Sequence, residues 1–231
     1  MQSSTQTKFR VATLLFAALL GLQCIWLLLV ELSRAGVGEL PTDASAAIAA
    51  AGKRNRAAWA ADFGAIRGDL WAQLAFTYAD LMFDDNRETP DTMQRLTRAR
   101  IDLEHALYDA PAQPGAWLLR GGLALRYPSL GLDAVESLKM SYYTGPTELD
   151  LIPLRLRLTA LSNATNDAEM RQFLRRDLRL LLARNHQSAI ADAYNGAAPP
   201  GKRFIERTLD EIDHRAAESL RTGTPKPELP D

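Results

Sequence analysis

Trp71-Ala72-Gln73-Leu74-Ala75-Phe76-Thr77-Tyr78 sets two aromatic residues seven positions apart, hence on one helical face, in a W-x2-L-A-x2-Y pattern. Downstream, Ala99, Leu103 and Ala106, counted back from Pro111, give the small-large-small-Pro spacing of a second helix packed on the first. An insertion of about a dozen residues around Asp84 to Pro90 separates the two helices of this unit. A weaker copy follows from Pro114. Trp117 and Gly121 repeat the first spacing, and Ala134, Leu138, Ser141 and Pro146 repeat the second after a slip of one residue. The expected fold is all-α, built from antiparallel helix pairs.

The chain has 231 residues, a net charge of -1 and a pI of about 6.3. With so little net charge, no whole-protein field favours nucleic acid, and no nucleic-acid partner is expected. The only cysteine, Cys24, excludes an intrachain disulfide and a cysteine-based metal site.

Val11 to Val30 carries no charged residue. As a helix rising about 1.5 Å per residue, a run of about 20 residues crosses a hydrocarbon core of roughly 30 Å, so membrane lipid is an expected partner of this segment. Lys8 and Arg10 precede it, while Glu31, Arg34, Glu39 and Asp43 follow. That bias places the amino terminus in the cytoplasm and the bulk of the chain across the membrane. Cleavage near Ser33-Arg34-Ala35 is the alternative, against which the length of the apolar run argues.

The expected organisation is a tail over residues 1–10, a transmembrane helix over 11–32, a linker over 33–41, a helical domain over 42–222 and a disordered tail over 223–231. Thr42 or Asp43 is placed to cap the first helix of the domain. Trp59, Phe63, Ile66 and Leu70 follow at helical spacing on one face that continues into Leu74, with Gly64 and Gly68 as points where the helix can bend or restart. Thr89 and Pro90 start the next helix, with Met93, Leu96, Ala99 and Leu103 on its stripe. Leu149 to Arg184 has the form of a third pair. Asn195 to Gly201 reads as a decisive break, and a last helix runs from about Lys202 to Arg221, its second face wet as the end of a solenoid requires.

Asp84-Asp85-Asn86-Arg87-Glu88 alternates carboxylates with polar residues, but Thr89 stands where a calcium loop needs Gly and Arg95 where it needs a bidentate acid. No P-loop, HExxH or CxxC occurs, and His105, His186 and His214 fall on separate helices. No cofactor, metal site or catalytic residue is therefore expected. Arg171, Arg175, Arg176 and Arg179 are interleaved with Asp167, Glu169 and Asp177, as on the solvated border of an apolar stripe.

The segment from Trp71 to Arg157 resembles the tetratricopeptide (TPR) family, and Ser141 to Glu148 with Leu154 and Arg155 is similar to degenerate repeats of bacterial envelope proteins. The resemblance implies a short TPR-like solenoid whose inner groove binds a protein partner. It places Asp69, Phe76, Asp80, Arg126 and Arg157 at groove-facing positions. The implied function is that of a non-enzymatic, single-pass scaffold in a bacterial inner membrane, with polysaccharide synthesis or export as its setting. The rivals are a structural subunit using Gln23 for contacts between membrane helices, and a glycan-processing enzyme using carboxylates such as Glu88, Glu104 and Asp109.

Overall fold

The uncharged run forms the middle of a long helix, α1 (Gln2–Ser33), in a computed structural model that describes residues 2–83 and 89–222. Lys8–Ser33 contains an 18-residue stretch with a mean hydropathy of 2.4 and is long and apolar enough to cross a membrane. Leu14, Leu15, Leu19, Leu22 and Ile25 stand exposed around it. Near its end the surroundings change: Trp26 packs against the core of the domain and Val30 is buried in it.

The rest is helical, and no strand occurs among the described residues. Asp43 caps α2 (Ala44–Ala51), its carboxylate accepting from the Ala46 amide at 2.8 Å. Then come α3 (Arg54–Gly64), α4 (Gly68–Phe76), α5 (Asp80–Phe83), α6 (Pro90–Asp109), α7 (Pro114–Arg126), α8 (Ala134–Thr144), α9 (Ile152–Leu161), α10 (Ala168–Ala183), α11 (Gln187–Gly196), α12 (Pro199–Ile212) and α13 (His214–Thr222). Thr89 caps α6 through its hydroxyl with Pro90 in the first turn, and Asp167 caps α10 by accepting from the Glu169 and Met170 amides. These ends form because a side-chain oxygen takes the amide hydrogens that a helix start leaves without partners.

Helix α4 packs on α6 and α7 on α8, while α4 and α5 lie beside α7, and α7 beside α9. Helix α9 is buried nearly all round, as a central helix is. Leu154 and Leu158 face the core that runs back to Val30, whereas Ile152, Leu156 and Ala160 face a second core shared with α10, α11, α12 and α13. Gly201 lets α12 close on α9, since a Cβ there would lie 2.1 Å from the Ala160 carbonyl oxygen.

Three expectations need correction. The stripe from Trp59 to Leu74 is not one face: Trp59 is 60% and Ile66 78% exposed, Phe63 is half-buried, and Leu70 and Leu74 are interior. The cause is a break at Ala65, whose φ of +39° ends α3 before α4 restarts at Gly68. The break near residue 200 is confined to Ala197 and Ala198, because Pro199 and Pro200 occupy the first turn of α12, where a missing amide hydrogen costs nothing. The last helix is two, divided at Asp213, whose carboxylate accepts from the Arg215 and Ala216 amides and starts α13. The acidic run Asp84 to Glu88 and the tail 223–231 lie outside the described residues.

Candidate functional site

Four charged residues meet where α1 enters the domain. Arg34 Nη2 reaches Asp69 Oδ2 at 2.7 Å, Arg67 Nη2 reaches the same oxygen at 2.6 Å, and Glu31 closes the set with Arg34 at 3.0 Å and Arg67 at 3.4 Å. Burial pushes the Asp69 carboxyl up, but the Arg67 hydrogen bond and the charges of Arg67 and Arg34 outweigh it and hold the group below its ordinary range. One exposed ion pair is worth less than about 1 kcal/mol, yet a shared carboxylate with two guanidinium groups fixes geometry better than isolated pairs do. Arg56 Nη2 adds a bond to the Leu32 carbonyl at 3.4 Å and Lys53 Nζ one to the Gly36 carbonyl at 3.2 Å. The apolar helix is thus tied to the domain rather than hung on a free linker.

A second polar cluster lies between α3, α4 and α6. Arg54 donates to the Thr77 carbonyl at 2.7 Å, lies 4.3 Å over the Tyr78 ring and sits 3.6 Å from Asp80, which Arg95 also contacts. Two helical turns farther along α6, Asp102 is fully buried, with Arg98 Nε 3.3 Å away and Tyr78 beside it. Burial raises its pKa to about 6, against the lowering effect of Arg98. His105 stacks on Trp71 with ring centroids 4.7 Å apart.

The raised Asp102 pKa has a defined consequence for stability. A carboxyl that binds its proton more tightly folded than unfolded stabilises the fold fully below about pH 4, and that contribution is lost as pH rises through about 6. Asp102→Asn, which cannot ionise, should therefore gain on the parent between pH 4 and pH 7 by on the order of 2 to 3 kcal/mol. Urea unfolding of both proteins at the two pH values measures this. A parallel pH dependence would show that Asp102 is not the group responsible.

The five groove positions do not share one environment. Asp69 belongs to the clamp on α1. Phe76 is 3% exposed and cannot line an open groove; it fills the core against Gly115, where an added Cβ would meet its ring at 3.0 Å. Asp80 is held by Arg54 and Arg95. Arg126 and Arg157 are exposed, on α7 and α9, and Arg157 lies 5.5 Å over the Phe83 ring at the end of α5. Glu104 pairs with Arg100 at 2.8 Å on the exposed side of α6, and Glu88 lies outside the described residues.

Two further features were not evident from sequence. Arg155 is fully buried in α9, where its position amid leucines was the available signal. It reaches α8, whose Tyr142 donates to the buried Asp177 at 2.8 Å. A cavity of about 200 Å³ opens beside α9 and the end of α10, lined by Thr42, Asp150, Arg184 and His186 among others. The basic flank of α10 is largely engaged: Arg171 donates to the Thr165 and Asn166 carbonyls, Arg175 pairs with Glu211, and Arg176 lies against Tyr142 and Phe173. Among the described residues no group of three metal-ligating side chains converges. Compared with known proteins, the chain matches no family model, no curated protein and no solved structure.

Proposed function

We propose that the protein is a membrane-anchored helical scaffold, a TPR-like array of helix pairs that holds a protein partner beside the bacterial inner membrane. The observation that carries this reading is the clamp. An exposed apolar helix long enough to span is bound through Glu31, Arg34, Arg67 and Asp69 to a domain made of stacked helices, so whatever the domain binds is held at a fixed place relative to the bilayer. Lys8 and Arg10 before the span support a cytoplasmic amino terminus and a periplasmic domain. The resemblance of the helix pairs to envelope proteins favours polysaccharide synthesis or export as the process served.

Of the groove positions, Arg126 and Arg157 are the exposed ones, and they carry the test of a partner surface. The double variant Arg126→Ala, Arg157→Ala should keep the parent's thermal unfolding, because exposed substitutions usually move stability by less than about 0.5 kcal/mol. It should lose a protein that co-purifies with the intact parent from membranes. An unchanged set of co-purifying proteins would remove this surface from the function. A second reading, a subunit of a larger membrane complex, is favoured by Gln23, an exposed amide in the apolar helix able to hydrogen-bond another membrane helix. Loss of the partner in Gln23→Leu, with Arg126 and Arg157 intact, would select it.

A further inference from the structure

Helix α3 is built inside out for a helix on a soluble domain. Its buried face consists of Ala57, Ala60, Ala61 and Gly64, whereas Trp59 is exposed and stacks on the half-buried Phe63, which packs against the core at the border of that face, ring centroids 5.4 Å apart and ring planes nearly parallel. At about 100° per residue, Arg56 and Asp62 flank Trp59 by about 60° on either side, so charge borders an aromatic centre. The turn after α3 adds to this face. Ala65 adopts a positive φ that an L-residue avoids, Trp71 Nε1 donates to its carbonyl at 2.8 Å and holds the turn, and the next residue, Ile66, is left in solvent.

The position of α3 identifies what covers that face. Arg56, near its start, reaches the Leu32 carbonyl, and Arg67, just past its end, reaches Glu31, so both ends are tethered to one turn of α1. Trp26 of α1 packs on the domain core although it lies within the uncharged run. The domain therefore reaches the depth at which hydrocarbon gives way to headgroups. Aromatic side chains concentrate in that layer, where an amphipathic helix can lie with its apolar face in the acyl boundary.

We propose that Trp59, backed by Phe63, and Ile66 form a ledge that rests in the lipid interface beside α1, fixing the domain's orientation on the membrane. This rests on the reading that α1 spans the bilayer. Single cysteines at residues 59 and 66, with Leu19→Cys in α1 and Arg203→Cys in α12 as references, are introduced into the full chain carrying Cys24→Ser and given a nitroxide label. The proteins are reconstituted in phosphatidylcholine vesicles containing phosphatidylglycerol. Relaxation by oxygen should exceed relaxation by a water-soluble nickel chelate at 59, 66 and 19, with the reverse order at 203. If 59 and 66 follow 203 while 19 reports hydrocarbon, the ledge is overturned and the span stands. If 19 also reports water, the span and the ledge fall together. Thermal unfolding of the labelled proteins confirms that these exposed sites leave the fold intact.

Discussion

Arg155→Leu should destabilise the domain by about 3 to 5 kcal/mol, the usual cost of removing one partner from a buried charged network. The guanidinium donates from Nε to Ser141 Oγ at 3.0 Å, from Nη1 to the Gly145 carbonyl at 2.8 Å and from Nη2 to the Ser141 carbonyl at 2.6 Å. A cation from α9 thus covers the carboxyl end of α8, where the helix dipole favours positive charge and the Ser141 and Gly145 carbonyls accept from the guanidinium as well as from the Gly145 and Glu148 amides. It also lies 5.0 Å from the centre of the Tyr142 ring, and the Tyr142 hydroxyl donates to Asp177 of α10. Burial pulls the Arg155 pKa down and pushes those of Asp177 and Tyr142 up, the signature of groups that would rather be solvated. Leucine fills much of the volume but leaves two carbonyls and the carboxylate without their cation.

Lysine should recover only part of the loss, because a point charge cannot serve three acceptors arranged for a planar fork. Urea unfolding of Arg155→Leu, Arg155→Lys, Asp177→Asn and the double variant Arg155→Leu, Asp177→Asn measures both the loss and the coupling. If Arg155→Leu falls within about 1 kcal/mol of the parent, the three helices are not joined through this network but by apolar contact alone.

What the sequence makes legible is what local chemistry decides. Val11 to Val30 forces a long apolar helix through composition, and Thr89-Pro90 and Asp167 mark helix starts through their own side chains. Which face of α3 is buried was not legible, because bulky apolar residues and small ones recur there at the same helical spacing. Here Ala57, Ala60, Ala61 and Gly64 share the same periodicity, and the small residues are the ones that allow close packing. The surroundings of the groove positions were hidden for a related reason. Whether Asp69 faces a partner depends on Arg34, thirty-five residues earlier, and no local pattern records that pairing. Arg155 and Asp102 look like any charged residue on a helix until neighbouring helices close over them.

Trp71→Ala should cost about 3 to 5 kcal/mol, as truncations of buried aromatics do, which is much of the margin of 5 to 15 kcal/mol typical of a domain. Trp71 joins three parts of the molecule. Its ring is buried in the core with α4, its face stacks on His105 of α6, and its indole nitrogen holds the Ala65 carbonyl. Trp71→Phe separates these roles, since it keeps much of the apolar packing and removes the hydrogen bond. It should lose about 1 kcal/mol of bonding in addition to the volume difference. The strained turn supplies a further check: a positive φ costs a non-glycine residue about 1 to 3 kcal/mol, so Ala65→Gly should return part of the Trp71→Phe loss. Urea midpoints of Trp71→Ala, Trp71→Phe, Ala65→Gly and the double variant Ala65→Gly, Trp71→Phe decide the matter. A Trp71→Ala protein as stable as the parent would mean that α4 and α6 are not held together at this residue. The helix pair proposed as the scaffold and the turn that presents Ile66 would then lose their common support.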